Sequence, residues 1–270
     1  MDAFICTTCG TQYEPSAAPP ACCVICEEER QFVLPAGQSW TTLKRLERSH
    51  MPAFRDEAGL IGVGIMPAFG INQRALLVST DQGYVLWDCV SLLSDVMVDL
   101  IKGLGGLRAI AISHPHYYTT MVDWGRAFDV PVYLHEADSE WIMRKDDHLA
   151  LWSGDTQEIA DGMTLVRLGG HYDGGTIMHW AQGAGGRGAL LSGDILQVVA
   201  DRKHLGFMRS YPNFIPHGAT AVQKIADRVA PYQYDAIYGA FWNAVIATGA
   251  KKAMDRSVTR HLDWLQRDIA

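Results

Sequence analysis

The stretch Ile110-Ala111-Ile112-Ser113-His114-Pro115-His116-Tyr117-Tyr118 constrains this chain more than any other. A short apolar run stops abruptly at two histidines one residue apart. The apolar content from Leu107 to Ser113 predicts a buried strand. The C-terminal end of such a strand is where open α/β sheets place their ligand sites. Residues i and i+2 of extended backbone point to the same side, so both imidazoles could reach one metal ion. Pro115 limits the backbone between them. A His-x-His pair is a weak signal in a chain with 10 histidines. The residues around it strengthen the case.

The cysteines are just as unevenly placed. Five of the six fall within the first 26 residues, which points to a local metal site in a reducing compartment and away from a disulfide framework. Cys6-Thr7-Thr8-Cys9 and Cys23-Val24-Ile25-Cys26 are two Cys-x-x-Cys knuckles separated by 13 residues. Four thiolates on two tight turns give the closed tetrahedral shell of structural zinc, through Cys6, Cys9, Cys23 and Cys26. Cys22 competes with Cys23 for the third position. A segment this short depends on its metal for folding. The knuckle Cys6-Thr7-Thr8-Cys9-Gly10, followed by Tyr13 and Pro15, resembles the first knuckle of rubredoxins and so admits iron. The second knuckle lies closer than that pattern allows and lacks its glycine, so zinc is expected. The chain thus divides into a four-cysteine zinc-knuckle unit, residues 1–30, and a main domain, residues 31–270.

The main domain opens with strand-like segments at Gly59 to Pro67, Arg74 to Thr80 and Tyr84 to Asp88, the last two forming a hairpin across Asp81-Gln82-Gly83. Thr41 or Thr42 caps a short helix from Leu43 to Glu47. Ser94 to Leu104 has helical periodicity and stops at Gly105-Gly106. After the His-x-His strand come a helix over Thr120 to Phe128, a strand over Val130 to Leu134 and a helix over Glu136 to Met143. Further strands are expected at Thr164 to Leu168, Thr176 to Ala181, Gly188 to Leu191 and Asp235 to Tyr238, with helices at Ala219 to Val229 and Lys251 to Arg267. Strand-rich sections on either side of an alternating one suggest two sheets flanked by helices.

Composition excludes some partners. A net charge of −7 argues against a nucleic acid, and no apolar run reaches the length of a membrane span. The first residues show no basic region followed by a long apolar stretch, so a cytoplasmic protein is expected. At 270 residues the chain can bury a full core, and a hydrophobic fraction of 48% is ordinary for a soluble globular protein.

Three further features join the histidine pair: Gly169-Gly170-His171 after a strand, Leu190-Leu191-Ser192-Gly193-Asp194 ending another, and Trp87-Asp88 closing the early hairpin. In this order they resemble the metallo-β-lactamase superfamily over roughly residues 60 to 245. The resemblance implies a four-layer αββα sandwich of the α/β (α+β) class, with metal in a cleft at one edge of the paired sheets. It implies His114, His116 and His171 as ligands, and Asp194 as the carboxylate beside them. It also implies that Asp88 supports the metal from behind. The superfamily's usual string is His-x-His-x-Asp-His, but Tyr118 and Thr119 occupy its last two positions here. The late histidine of the superfamily is also missing around Tyr238-Gly239-Ala240-Phe241-Trp242. Hydroxyls are poor ligands beside carboxylate or imidazole, so a mononuclear site is expected, with Asp194 as its fourth metal ligand or as the base that holds its water. Zinc is the default ion there, with iron and manganese as alternatives.

The expected activity is hydrolysis of a small ester, thioester or lactone. Asp194 would hold and deprotonate the water, and Tyr118 or Tyr117 would donate to the oxyanion or the leaving group. A catalytically degenerate scaffold, with the zinc knuckle as a surface for a protein partner, is the alternative. An iron-dependent oxidoreductase is a third.

Overall fold

The computed structural model describes residues 1–267. The chain divides into two compact units, Met1–Trp152 and Ser153–Ala270.

In the first unit seven strands form one sheet in chain order: Met51–Glu57, Leu60–Met66, Ala75–Thr80, Gly83–Trp87, Leu107–Ala111, Val132–His135 and Leu149–Trp152. The first four are antiparallel, and from Gly83–Trp87 onward the strands run parallel. Parallel neighbours end at the same edge, so Asp88 and Ser113 leave the sheet side by side. The central strands carry residues such as Leu76, Val78, Val85, Leu86 and Ile110, all fully buried, as expected of a sheet covered on both faces. The helix Asp95–Leu104 lies in the crossover between the first two parallel strands. Ser94 caps it by accepting from Met97 N, and Gly105, at φ +127°, ends it. Thr42 caps the short helix Leu43–Leu46 in the same way, through Arg45 N.

Several segments differ from the sequence reading: the strands Leu149–Trp152, Thr156–Ala160 and Val245–Ile246 were not expected, and two other segments show the physical reason. Met51–Glu57 is a strand, hairpinned to Leu60–Met66 across Ala58-Gly59, both at positive φ. Such turns favour Asn-Gly or Asp-Gly, and an alanine in the first position hides the signal. Asp56 stabilises the turn by accepting from Gly59 N at 3.1 Å. Glu136–Trp141 is a 3-10 helix with a break at Asp138, not an α-helix through Met143. Asp138 and Ser139 fall in mid-segment, where such side chains compete with helical backbone bonds. The His135 ring accepts from Ala137 N and tightens the first turn.

The N-terminal segment belongs to the first unit. Phe4–Cys6 pairs with Trp40–Thr42, and Ile5 bridges to Gln12. Trp141 and Met143 pack on the buried cysteines.

In the second unit six strands form a sheet in the order Thr156–Ala160, Met163–Arg167, Thr176–Trp180, Ala189–Gly193, Ala236–Gly239, Val245–Ile246. Only the pairing of Ala189–Gly193 with Ala236–Gly239 is parallel. The helices Ala219–Val229 and Ala250–Gln266 bury Val222, Ile225, Val229 and Met254 against Ile177, Leu190 and Ile237. Truncating one of these large side chains to alanine would cost about 2–5 kcal/mol. Among the described residues no helix is long and apolar enough to cross a membrane.

Candidate metal centres

The four-cysteine group has the geometry its spacing predicted. Cys6 Sγ and Cys26 Sγ are 3.6 Å apart, as are Cys9 Sγ and Cys23 Sγ. A disulfide would need about 2.05 Å. Sulfurs on a tetrahedral ion at ~2.3 Å stand roughly 3.8 Å apart. All four are buried, whereas Cys22 is only half-buried, so Cys23 is the ligand candidate. Donors already surround the sulfurs: Tyr13 Oη points to Cys23 Sγ at 3.3 Å, and Gln38 Nε2 to Cys6 Sγ at 3.2 Å. Such donors suit thiolates. Hydrogen bonding with Cys23, then with Cys6, holds the Cys26 thiol well above the ordinary range. A divalent cation would relieve that crowding of sulfur by taking up the negative charge.

The second group is built from two loops. The strand Leu107–Ala111 leads into Ser113 and His114, whose φ of −172° continues the extended chain. The backbone then tightens into the 3-10 turn Pro115–Tyr117. His116 therefore sits on a turn, not in the extended alternation expected from the sequence. The two rings still meet edge to face, with centroids 5.1 Å apart. His114 Nδ1 lies 2.9 Å from Ser113 Oγ, and Asp88 Oδ1 accepts from Ser113 N at 2.8 Å. Asp88 thus fixes the residue next to His114, a candidate ligand. Tyr117 stands edge-on to His114, with ring centroids 5.2 Å apart, and both Tyr117 and Tyr118 are buried.

In the second unit, Gly169 and Gly170 both take positive φ before His171. A Cβ on Gly170 would also come within 3.1 Å of Ile225 Cδ1 and 3.2 Å of His217 Nε2, so glycine is required there for space as well as for conformation. His171 Nδ1 lies 3.3 Å from the Met208 carbonyl oxygen, which it reaches as a donor, leaving Nε2 as the basic nitrogen. That Nε2 is 3.9 Å from Asp194 Oδ1. Asp194 follows Gly193 at the end of the strand Ala189–Gly193, and burial pushes its carboxyl up to about 7.

Each of His114, His116, His171 and Asp194 offers one ligand atom within 4.8 Å of those of the other three, and all four side chains are buried. Three imidazoles and a carboxylate are a donor set for zinc, iron or manganese. Burying a carboxylate among neutral rings is costly without a cation, which is the chemical argument that the group is meant to hold one.

Sequence reasoning missed several neighbours. Tyr211 Oη donates to the Asp194 carbonyl oxygen at 2.6 Å. His217 is buried, and its Nε2 has no hydrogen-bond partner among the described residues. Burial, then the nearby His171, Arg209 and His261, pull it down to about 4. Arg74, read as an ordinary first residue of a strand, is fully buried against Glu57 at 3.1 Å. The run Tyr211-Pro212-Asn213-Phe214-Ile215-Pro216 ahead of His217 reads from sequence as a loop that could shape a pocket, and it is the hint to the first two of these. By contrast His179 lies in a strand with its Nε2 on the Gln233 carbonyl, and the His135 ring accepts from Ala137 N, so both serve the backbone around them.

No family model matches the chain. It is 43% identical over 272 residues to YmaE of Bacillus subtilis (strain 168), a protein described only as uncharacterised, with 100% of this chain and 99% of that protein covered. The chain belongs to the YmaE family. Its structure is similar to that of VMB-1 (TM-score 0.58, 12% identity, 79% of this chain and 98% of that one). It is similar to TMB-1 too (TM-score 0.55, 11% identity, 76% and 97%). The DIM-1 metallo-β-lactamase gives a TM-score of 0.52 at 12% identity, over 76% of this chain and 97% of that one. At such identities the likeness is one of fold alone. The chain has the metallo-β-lactamase fold, with a four-cysteine cluster near its N-terminus.

Proposed function

We propose that the chain is a metal-dependent hydrolase of a small ester, thioester or lactone, working through a mononuclear site. The observation that carries this reading is the convergence of His114, His116, His171 and Asp194. Zinc is the proposed ion in both groups. When bound among the histidines, it would lower the pKa of a water molecule and polarise the substrate carbonyl.

The protein's own residues supply the rest. His171, oriented through its Nδ1–H on the Met208 carbonyl, has Nε2 left to hold the ion and would be one of its ligands. Asp194, beside the ion and ionised by its charge, would accept a proton from the attacking water. Tyr118 or Tyr117 donates a hydrogen bond to the developing oxyanion or the leaving group. Tyr118 and Thr119, standing where a second ion's aspartate and histidine would be, support a single ion. The proposed substrate is a small neutral or weakly charged molecule, in keeping with the acidic chain.

The test is an activity screen over aryl esters, thioesters and lactones, with and without chelator, alongside His114→Ala/His116→Ala. The reading predicts chelator-sensitive hydrolysis of at least one class, abolished in the double variant. Hydrolysis that survives in that variant would overturn it. A metal-free, inactive but folded histidine site would favour the scaffold reading instead.

A further inference from the structure

Gln12 lies within the four-cysteine segment, between Cys9 and Cys23, and its surroundings are unusually specific. The knuckle sets its backbone: Gly10 N donates to Cys6 O and Cys6 N to Thr11 O, each at 2.9 Å. Gly10, at φ +86°, packs so closely on Ser91 that a Cβ would collide with Ser91 Oγ, and that hydroxyl donates to Gly10 O at 3.0 Å. The chain then delivers Gln12 to the far end of the histidine loop. Gln12 N donates to Thr119 O at 3.0 Å, three residues beyond His116. Thr119 is buried, with φ +33°, a conformation a β-branched residue adopts only when held there.

The Gln12 side chain is buried, and both ends of its amide are bonded. Nε2 donates to Asp123 Oδ2 at 2.8 Å, and Oε1 accepts from Arg144 Nη1. Arg144 Nη1 also reaches Asp123 Oδ1 at 2.7 Å. Asp123 lies on the helix Met121–Phe128, which begins where the histidine loop ends. An amide can donate to a carboxylate and accept from a guanidinium at once; neither a carboxylate nor an alkyl group can. Two further bonds hold the same loop: Gln73 Nε2 donates to His116 O at 3.3 Å, and Thr120 Oγ1 to Val90 O at 3.1 Å.

We infer that Gln12 is a positioning residue for the histidine centre: it couples the four-cysteine knuckle to the loop 114–120, so the knuckle sets the geometry in which His114 and His116 meet their ion. This rests on reading His114, His116, His171 and Asp194 as a metal site. The knuckle is then a brace for the second centre and not a separate appendage.

The test is made on the full chain with zinc retained in the four-cysteine group and cobalt titrated as the probe. Cobalt at the histidine group is recognised by a visible spectrum lacking thiolate charge-transfer bands. Gln12→Glu places a carboxylate against Asp123, and Gln12→Met removes both polar contacts at nearly constant volume. Each should keep one zinc per chain, weaken cobalt binding roughly 10- to 100-fold as supporting residues of a metal site do, and speed amide exchange over residues 116–120. The exchanged pair Gln12→Glu/Asp123→Asn restores the bonds with their polarity reversed, and should recover both affinity and spectrum. Wild-type affinity and spectrum in Gln12→Glu and Gln12→Met would overturn the inference. Failure of the exchanged pair to recover would overturn it too, reducing Gln12 to general stability. If wild-type protein binds no cobalt outside the cysteines, the metal-site reading fails and the inference goes with it.

Discussion

Tyr211 Oη donates to the main-chain oxygen of Asp194 at 2.6 Å. Because this bond is to the carbonyl, it fixes the backbone of the proposed ligand and leaves its carboxylate to face the histidines. Tyr211→Phe should therefore lower stability by roughly 1–2 kcal/mol, the usual cost of leaving a buried acceptor without its donor. Its metal affinity should fall without a change in metal identity. Denaturant unfolding of the metal-free and metal-loaded protein measures both. An unchanged midpoint in both forms would show that the bond contributes nothing.

The knuckle should hold one tetrahedral zinc. Cys6→Ser/Cys26→Ser should lose one ion per chain, and chelation should expose the Trp40 and Trp141 surroundings that pack on the cysteines. Mass analysis of freshly purified protein should find no disulfide among Cys6, Cys9, Cys23 and Cys26. Finding one, or finding unchanged metal in the variant, would contradict the structural-zinc account.

Tyr118→Phe should retain the histidine-site metal and lower turnover ~10- to 1000-fold if its hydroxyl donates to the reacting group. Full turnover would hand that role to Tyr117. Loss of the metal would make Tyr118 a ligand.

Stability should also respond to pH through His148, which precedes the edge strand Leu149–Trp152. Its Nδ1 is 2.6 Å from Asp146 and its Nε2 3.1 Å from Asp129. These two carboxylates raise its pKa above the ordinary 6.5, so its contribution is complete below that value and is lost as pH rises through the folded one. Burial pushes Asp146 up, but hydrogen bonds from His148 and Arg126 outweigh it and hold the carboxyl down to about 2. Its contribution is complete above the ordinary carboxylate value and disappears as pH falls towards 2. Thermal melts of His148→Gln should show a smaller loss between pH 6 and 8 than wild type. Parallel curves would show that this pair is screened by solvent.

Much of this was legible from residues alone. The strands that lead to Ser113 and Asp194 announced themselves by apolar runs, and the candidate ligands by their places just beyond such runs. Ser94 and Gly105 marked a helix within a residue. The hairpin at Ala58-Gly59 was not legible, because the turn places an alanine at positive φ. Tyr211, His217, Arg74 and Gln12 were not legible either. Each acts through contacts with residues distant in the chain, 17 residues for Tyr211 and Asp194, 111 for Gln12 and Asp123. No local pattern encodes such a pairing. Periodicity reports which face is buried, not which polar group a buried side chain meets.

The most direct measurement is elemental analysis of protein purified without added metal, compared with His114→Ala/His116→Ala. The account predicts two ions per chain in the wild type, one in the cysteines and one among His114, His116, His171 and Asp194, and a single ion in the variant. One ion in both proteins, lost only on removing the cysteines, would contradict a metal-dependent hydrolase and leave the histidine group without its ion.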